Sequence, residues 1–223
     1  MDSLRNNILT IYFRNAISFY DLPLFRGAVI NTVGTEQILF HNHDGNNYRY
    51  DYPLVQYKRI GGKAAIVCLS KGVEVIGEFF SKNDSPLRIG EKYEPFIVEK
   101  IIPSTVLTQI WQDEFTYTIR KYLPLNQENY LKYKSLESLA DKLALLEKCL
   151  TGNILSFGKS LGVHFDANVT IKITKVDNIR IYRYKDIKMQ GFDIEFKSNV
   201  SLPNYIGLGK KVSIGFGTVY RIK

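Results

Sequence analysis

Cysteine and histidine are scarce in this chain of 223 residues, with two of the former and three of the latter. Cys68 and Cys149 lie far apart, each in an apolar stretch, and read as reduced core thiols of a cytoplasmic protein. No apolar run approaches the length of a membrane span, and the first residues lack the hydrophobic core of a signal peptide. The expectation is an intracellular protein with no membrane partner. There is no low-complexity linker, so the two halves are expected to form one rigid body. Carboxylates do not cluster as a divalent-ion site would need, and no strand has the aromatic pattern of an RNP motif. Between Phe196 and Lys223 there is no Asp or Glu at all.

That acid-free tail contains Gly207-Leu208-Gly209-Lys210-Lys211 and, four residues on, Gly215-Phe216-Gly217. Glycine lets a backbone approach a ligand closely, and two lysines beside it offer ammonium charge to phosphate. A hairpin that uses its glycines for turns and a bulge would give the same letters. The whole chain is basic, with 30 Lys and Arg against 22 Asp and Glu, which favours an anionic partner. Its 15 Tyr and 13 Phe add potential stacking surfaces, although core packing accounts for most aromatics.

Hydrophobic content of 45% fits an ordinary globular protein of one large or two small domains. Alternation predicts a strand over Ile8–Phe13, then a helix with Asp21 as cap, Pro23 in its first turn and Gly34 at its end. Phe25, Ala28, Val29 and Val33 form its apolar face. Strands Leu54–Ile60 and Ala64–Leu69 follow, joined by a Gly61-Gly62 turn. Ser70 is read as the cap of a short helix bearing Val73, Ile76 and Phe80, and Tyr93–Ile102 as a strand broken at Pro103. Strand, helix, strand, strand, helix, strand is the ferredoxin-like order. After residue 105 the pattern restarts with Phe115–Tyr122. Leucines from Leu136 to Leu161 at three- and four-residue steps predict one long helix capped by Ser135. The β-rich segments Val169–Lys175, Ile179–Tyr184, Ile187–Phe196 and Val212–Ile222 complete a second α+β unit.

Two of the three histidines sit together in Phe40-His41-Asn42-His43-Asp44-Gly45. Imidazole gives and takes protons near neutral pH. Cleavage of RNA by its own 2′-hydroxyl needs a base for that hydroxyl and an acid for the departing 5′-oxygen. Two histidines two residues apart in an extended segment would face the same side. His-x-His is also a metal-ligand spacing, but a structural zinc site needs more ligands, and His164, Cys68 and Cys149 supply no matching pair. A loop with incidental histidines is the plain alternative.

The combination resembles the CRISPR-associated repeat-processing endoribonucleases, the sixth Cas family of the repeat-associated mysterious protein (RAMP) superfamily. The resemblance is carried by His41-x-His43, by Tyr52-Pro53-Leu54-Val55-Gln56-Tyr57-Lys58-Arg59-Ile60, and by Gly207, Gly209, Gly215 and Gly217. It implies an α+β fold of two tandem ferredoxin-like (RRM-like) βαββαβ domains, 1–105 bearing the histidines and 106–223 bearing a long helix and a glycine-rich hairpin. It also implies cleavage of the repeat in precursor CRISPR RNA without cofactor or metal, with 5′-hydroxyl product ends. His41 and His43 fall where that family's paired-histidine branch places its acid and base, with Tyr50 as a supporting donor. Lys58 and Arg59 fall where cations would neutralise the phosphorane, and Gly207, Gly209, Lys210, Lys211, Gly215 and Gly217 would bind RNA. The implied partners are the repeat RNA and an effector complex, for a monomer or homodimer. A non-cleaving RNA-binding subunit of such a complex shares the fold and the glycine loop and stays open as the alternative.

Overall fold

Alternating burial along Arg5–Ala16 (β1) makes it the first strand of a four-stranded sheet. A computed structural model describes residues 5–41, 43–44, 47–48, 52–82, 85–165 and 167–222. The chain divides into two units, Met1–Val106 with Ser213–Gly215, and Leu107–Val212 with Phe216–Lys223.

In the first unit, β1 leads to α1, Leu22–Val33. Asp21 occupies its N-cap position but its side chain makes no capping bond, Pro sits in its first turn, and Gly34 ends it at φ 98°. The expected face is buried: Phe25, Val29 and Val33 are fully enclosed, and Ala28 nearly so. The short helix α2, Ile38–His41, is followed by two-residue strands β2, His43–Asp44, and β3, Asn47–Tyr48. Strands β4, Val55–Ile60, and β5, Lys63–Leu69, pair antiparallel with Ile60 opposite Lys63. Gly61 and Gly62 between them both have positive φ, 57° and 86°, as a tight hairpin turn demands. Sheet order is β4-β5-β1-β8, with β8 at Val98–Leu107. The core lies between sheet and helices, where Phe25 packs edge-on against Phe13 and Tyr57 and stacks on Phe96 at 4.8 Å. Each such enclosed aromatic stabilises the unit by about 1.5–3 kcal/mol.

Three local expectations need correction. The short helix is two pieces, α3, Lys71–Val75, and α4, Gly77–Lys82; Phe79 rather than Phe80 is fully buried. Ser70 makes no capping bond, because its backbone is at φ 49°. The strand expected at Tyr93 is divided: β6, Leu87–Ile89, pairs with β7, Lys92–Glu94, and β8 then runs through Pro103. An edge strand tolerates proline because the ladder does not need the missing N–H on its open side.

The second unit repeats the strand order. Its sheet is β10-β11-β9-β12, formed by β9, Ile110–Tyr122, β10, Ile171–Tyr184, β11, Ile187–Val200, and β12, Thr218–Arg221. Two helices cover it: α5, Gln127–Ser135, and α6, Leu139–Ser160. The expected long helix is present as α6, but it starts three residues later than Leu136, and its cap is Ser138 rather than Ser135: the Ser138 hydroxyl accepts from the N–H of Ala140. Leu145, Leu146, Leu150, Ile154 and Phe157 form the buried stripe. Where the first unit has α3 and α4 between its third and fourth strands, the second has residues 201–217, with only a three-residue 3₁₀ turn, Val212–Ile214. The final strand therefore begins at Thr218, not at Val212. No helix among the described residues is long and apolar enough to cross a membrane.

Candidate active site and nucleic-acid interface

Phe40 is 1% exposed, and its burial in the first core draws residues 38–41 into a helical turn. His41 ends that turn, while His43 opens β2 with its Cα opposite Tyr48 of β3. The two histidines therefore belong to different elements, and the same-side argument for an extended pair does not apply to them. Tyr50 lies outside the described residues. Among the described residues, no three of His, Cys, Asp and Glu converge to hold a metal ion.

Lys58 and Arg59 part company. Lys58 is fully buried in β4, and burial pushes its ammonium down to about 7. Its side chain is not on a surface that a phosphate could reach. Arg59 is exposed, and its Nε donates to the carbonyl of Ile17 at 2.8 Å, which ties β4 to the segment after β1.

The glycine-rich stretch has the mouth of a hairpin. Tyr205 N donates to Val219 O at 2.8 Å, Leu208 N donates to Gly217 O at 2.9 Å, and Gly207 bridges Thr218. Lys210 N then donates to the carbonyl of Leu123, and Gly217 N to that of Lys121, each at 3.1 Å. These bonds account for backbone groups that a loop would otherwise leave to solvent. Glycine is required because protein, not open space, surrounds the stretch. At Gly217, with φ 59°, a Cβ would overlap the carbonyl oxygen of Leu208. At Gly215 it would meet Leu22 Cδ1 at 2.5 Å and Phe19 at 3.2 Å. Gly207, Gly215 and Gly217 are buried and Gly209 half-buried, whereas Lys210 and Lys211 are exposed. Partial burial holds the Lys210 ammonium below its ordinary value.

Lys211 has φ 58°, a left-handed conformation that costs a side-chain-bearing residue about 1–2 kcal/mol. In that pose its ammonium lies 4.8 Å from the centre of the Tyr184 ring, near the tip of the β10–β11 hairpin. Phe216 similarly meets Tyr182 edge-on at 5.3 Å. The glycine stretch is thereby fixed to one face of that hairpin. Arg180, Arg183, Lys185 and Lys188 on the hairpin are all exposed. Sequence reasoning passed over these four cations, although the alternation Arg180-Ile181-Tyr182-Arg183-Tyr184-Lys185 carried a basic and aromatic signal.

Two Cas6b domain families match the sequence: the N-terminal domain over residues 5–103 and the C-terminal domain over 109–222. An uncharacterized protein of Methanocaldococcus jannaschii is 41% identical over 105 residues, which is 47% of this chain and 70% of that protein. A crystal structure of Cas6b superposes with a TM-score of 0.90 at 26% identity, covering 98% of this chain and 100% of the other. A second, described as the CRISPR RNA processing endoribonuclease Cas6b, gives 0.75 with the same identity and coverage. With both halves matched in order, the chain belongs to the Cas6b family.

Proposed function

We propose that this chain cuts the repeat of precursor CRISPR RNA by internal transesterification. The observation that carries the reading is that the span matched by the Cas6b N-terminal domain includes the chain's one close histidine pair, His41 and His43. One imidazole takes the proton of the 2′-hydroxyl as its oxygen attacks the adjacent phosphorus. The other gives a proton to the 5′-oxygen as the P–O5′ bond breaks. The products are a 2′,3′-cyclic phosphate upstream and a 5′-hydroxyl downstream, and no metal enters the scheme. Tyr50 supports the pair as a hydrogen-bond donor, and Arg59 supplies exposed positive charge to the phosphates.

The RNA backbone is held by Lys210 and Lys211 together with Arg180, which alternates onto the Tyr182 and Tyr184 face of β10. The glycines position those lysines rather than touching RNA themselves. Residues 1–105 thus form the catalytic domain and 106–223 the RNA-holding domain. Incubation with repeat RNA in EDTA, followed by mapping of product ends, tests the reading. A cyclic phosphate and a 5′-hydroxyl are the expected ends; a 5′-phosphate, or no cutting until a divalent ion is added, would overturn it.

A further inference from the structure

Cross-strand partners in a sheet share a face, and this identifies what covers each part of β10. Ile173, Val176, Ile179 and Ile181 lie opposite Phe196, Ile194, Phe192 and Gln190 of β11, so all four are on the core side. The helices bury Ile173, but Ile179 is 54% exposed and Ile181 59%. Leu139, in the first turn of α6, is 70% exposed. A groove of about 430 Å³ runs between Leu139 and Ile179, lined also by Tyr133, Lys142, Leu143 and Val176 among others, and Ile181 continues the same face beyond it.

We infer that this groove docks an acidic amphipathic helix of a protein partner. Its charged lining residues are Lys142 and Lys175, with no carboxylate. Further along the same face, Arg183 and its cross-strand partner Lys188 add two cations toward the hairpin tip, Arg183 meeting Asp186 at 3.2 Å in an exposed pair like that of Lys175. Lys175 meets Asp177 at 2.8 Å, an exposed pair that an incoming carboxylate can displace. An added strand is disfavoured, although β10 is an edge, because its register shifts between Ile173 and Lys175 and again between Val176 and Ile179. Such bulges interrupt the row of backbone groups that strand addition needs. A leucine-striped helix needs only side-chain pockets. A nucleobase finds no platform here, since the one aromatic ring, Tyr133, is engaged by Lys142 at 5.7 Å and Phe192 at 5.6 Å. The glycine stretch contacts Tyr182 and Tyr184, which alternate onto the opposite face of β10. A partner in the groove and RNA on that other face do not compete.

The test uses the full chain and a labelled peptide of ~18 residues with a leucine stripe flanked by Glu, beside an isomer with Lys replacing Glu. Fluorescence anisotropy should show the Glu peptide binding at least ~10-fold more tightly than the Lys isomer. Ile179→Glu and Ile181→Glu should each weaken it ~10-fold, with melting temperature and repeat-RNA affinity unchanged. Both sites are exposed enough to leave folding intact. Equal binding of the two peptides, or variants that bind as wild type, overturns the inference. So does a wild-type dimer in sedimentation that Ile179→Glu dissolves, which makes the occupant a second copy. Loss of RNA affinity in the variants assigns the groove to RNA instead. If the wild-type chain fails to bind repeat RNA, the proposed function falls and the peptide comparison still decides this one.

Discussion

The ammonium of Lys211 sits 4.8 Å above the centre of the Tyr184 ring. A lysine held in a left-handed backbone conformation against a tyrosine is a charge fixed in place, not a swinging arm. Lys210→Ala with Lys211→Ala should therefore weaken repeat-RNA binding and flatten its salt dependence, by up to ~1.4 in the log–log slope if both meet phosphates of a single strand. Tyr184→Leu should reproduce a part of that loss, worth about 0.5–1 kcal/mol, with both lysines still present. An unchanged affinity and slope in the double lysine variant would remove the stretch from the RNA path.

Two glycines predict opposite outcomes. Gly152 lies inside α6, where a Cβ would meet nothing within 4 Å, so Gly152→Ala should stabilise the protein by roughly 0.5–1 kcal/mol. Gly217→Ala puts a methyl on the carbonyl of Leu208 at positive φ, and should cost at least ~2 kcal/mol. Urea titrations of the two variants decide the matter. A neutral Gly217→Ala would mean that the turn relaxes freely.

For the chemistry, replacing both His41 and His43 with Ala should abolish cutting and leave RNA affinity within a few-fold. Either single change should slow it by ~10²–10⁴-fold. RNA with a 2′-deoxy sugar just upstream of the scissile phosphate should bind and stay intact. Cutting of that deoxy strand would exclude the internal nucleophile.

Lys58 makes a prediction about pH. Burial lowers its ammonium from the ordinary 10.5 to about 7. Below ~7 folded and unfolded chains both hold the proton, and the penalty of burying charge is present in full. Between there and 10.5 only the unfolded chain holds it, so this residue makes stability rise with pH across that window. Lys58→Met should raise the melting temperature most below pH ~7, with the gain shrinking toward pH ~10. A gain that is the same at both ends would mean that the lysine is not neutralised in the fold.

Much of this architecture was legible because periodicity and punctuation agreed. Asp21, Pro23 and Gly34 bracket α1 as drawn, and the paired glycines at 61 and 62 set the β4–β5 turn. Misreadings came where tertiary context overrides a local signal. Pro103 looks like a stop until the strand is known to be an edge. Ser135 and Ser138 are equal cap candidates by letter, and only the break at Leu136 separates them. In the candidate site, the adjacency of Lys58 and Arg59 suggested a shared role. Alternation along β4 together with complete enclosure gives one of them to the interior. Arg180 was missed because it shares a face with the glycine stretch only through Tyr182 and Tyr184.

Ser213–Gly215 belong to the first unit although they are made among the last residues of the chain. Strand β12 closes the second sheet against β9, which is made about a hundred residues earlier. The first unit likewise lacks three of its residues until the same stretch has been made. At ribosomal speeds of ~5–20 residues per second, the histidine-bearing unit waits roughly 5–20 s after its own residue 106 before its last segment exists. Neither unit is finished first. Both are completed by one short run of late-made residues, so a chain truncated before Ser213 leaves two incomplete units rather than one sound one.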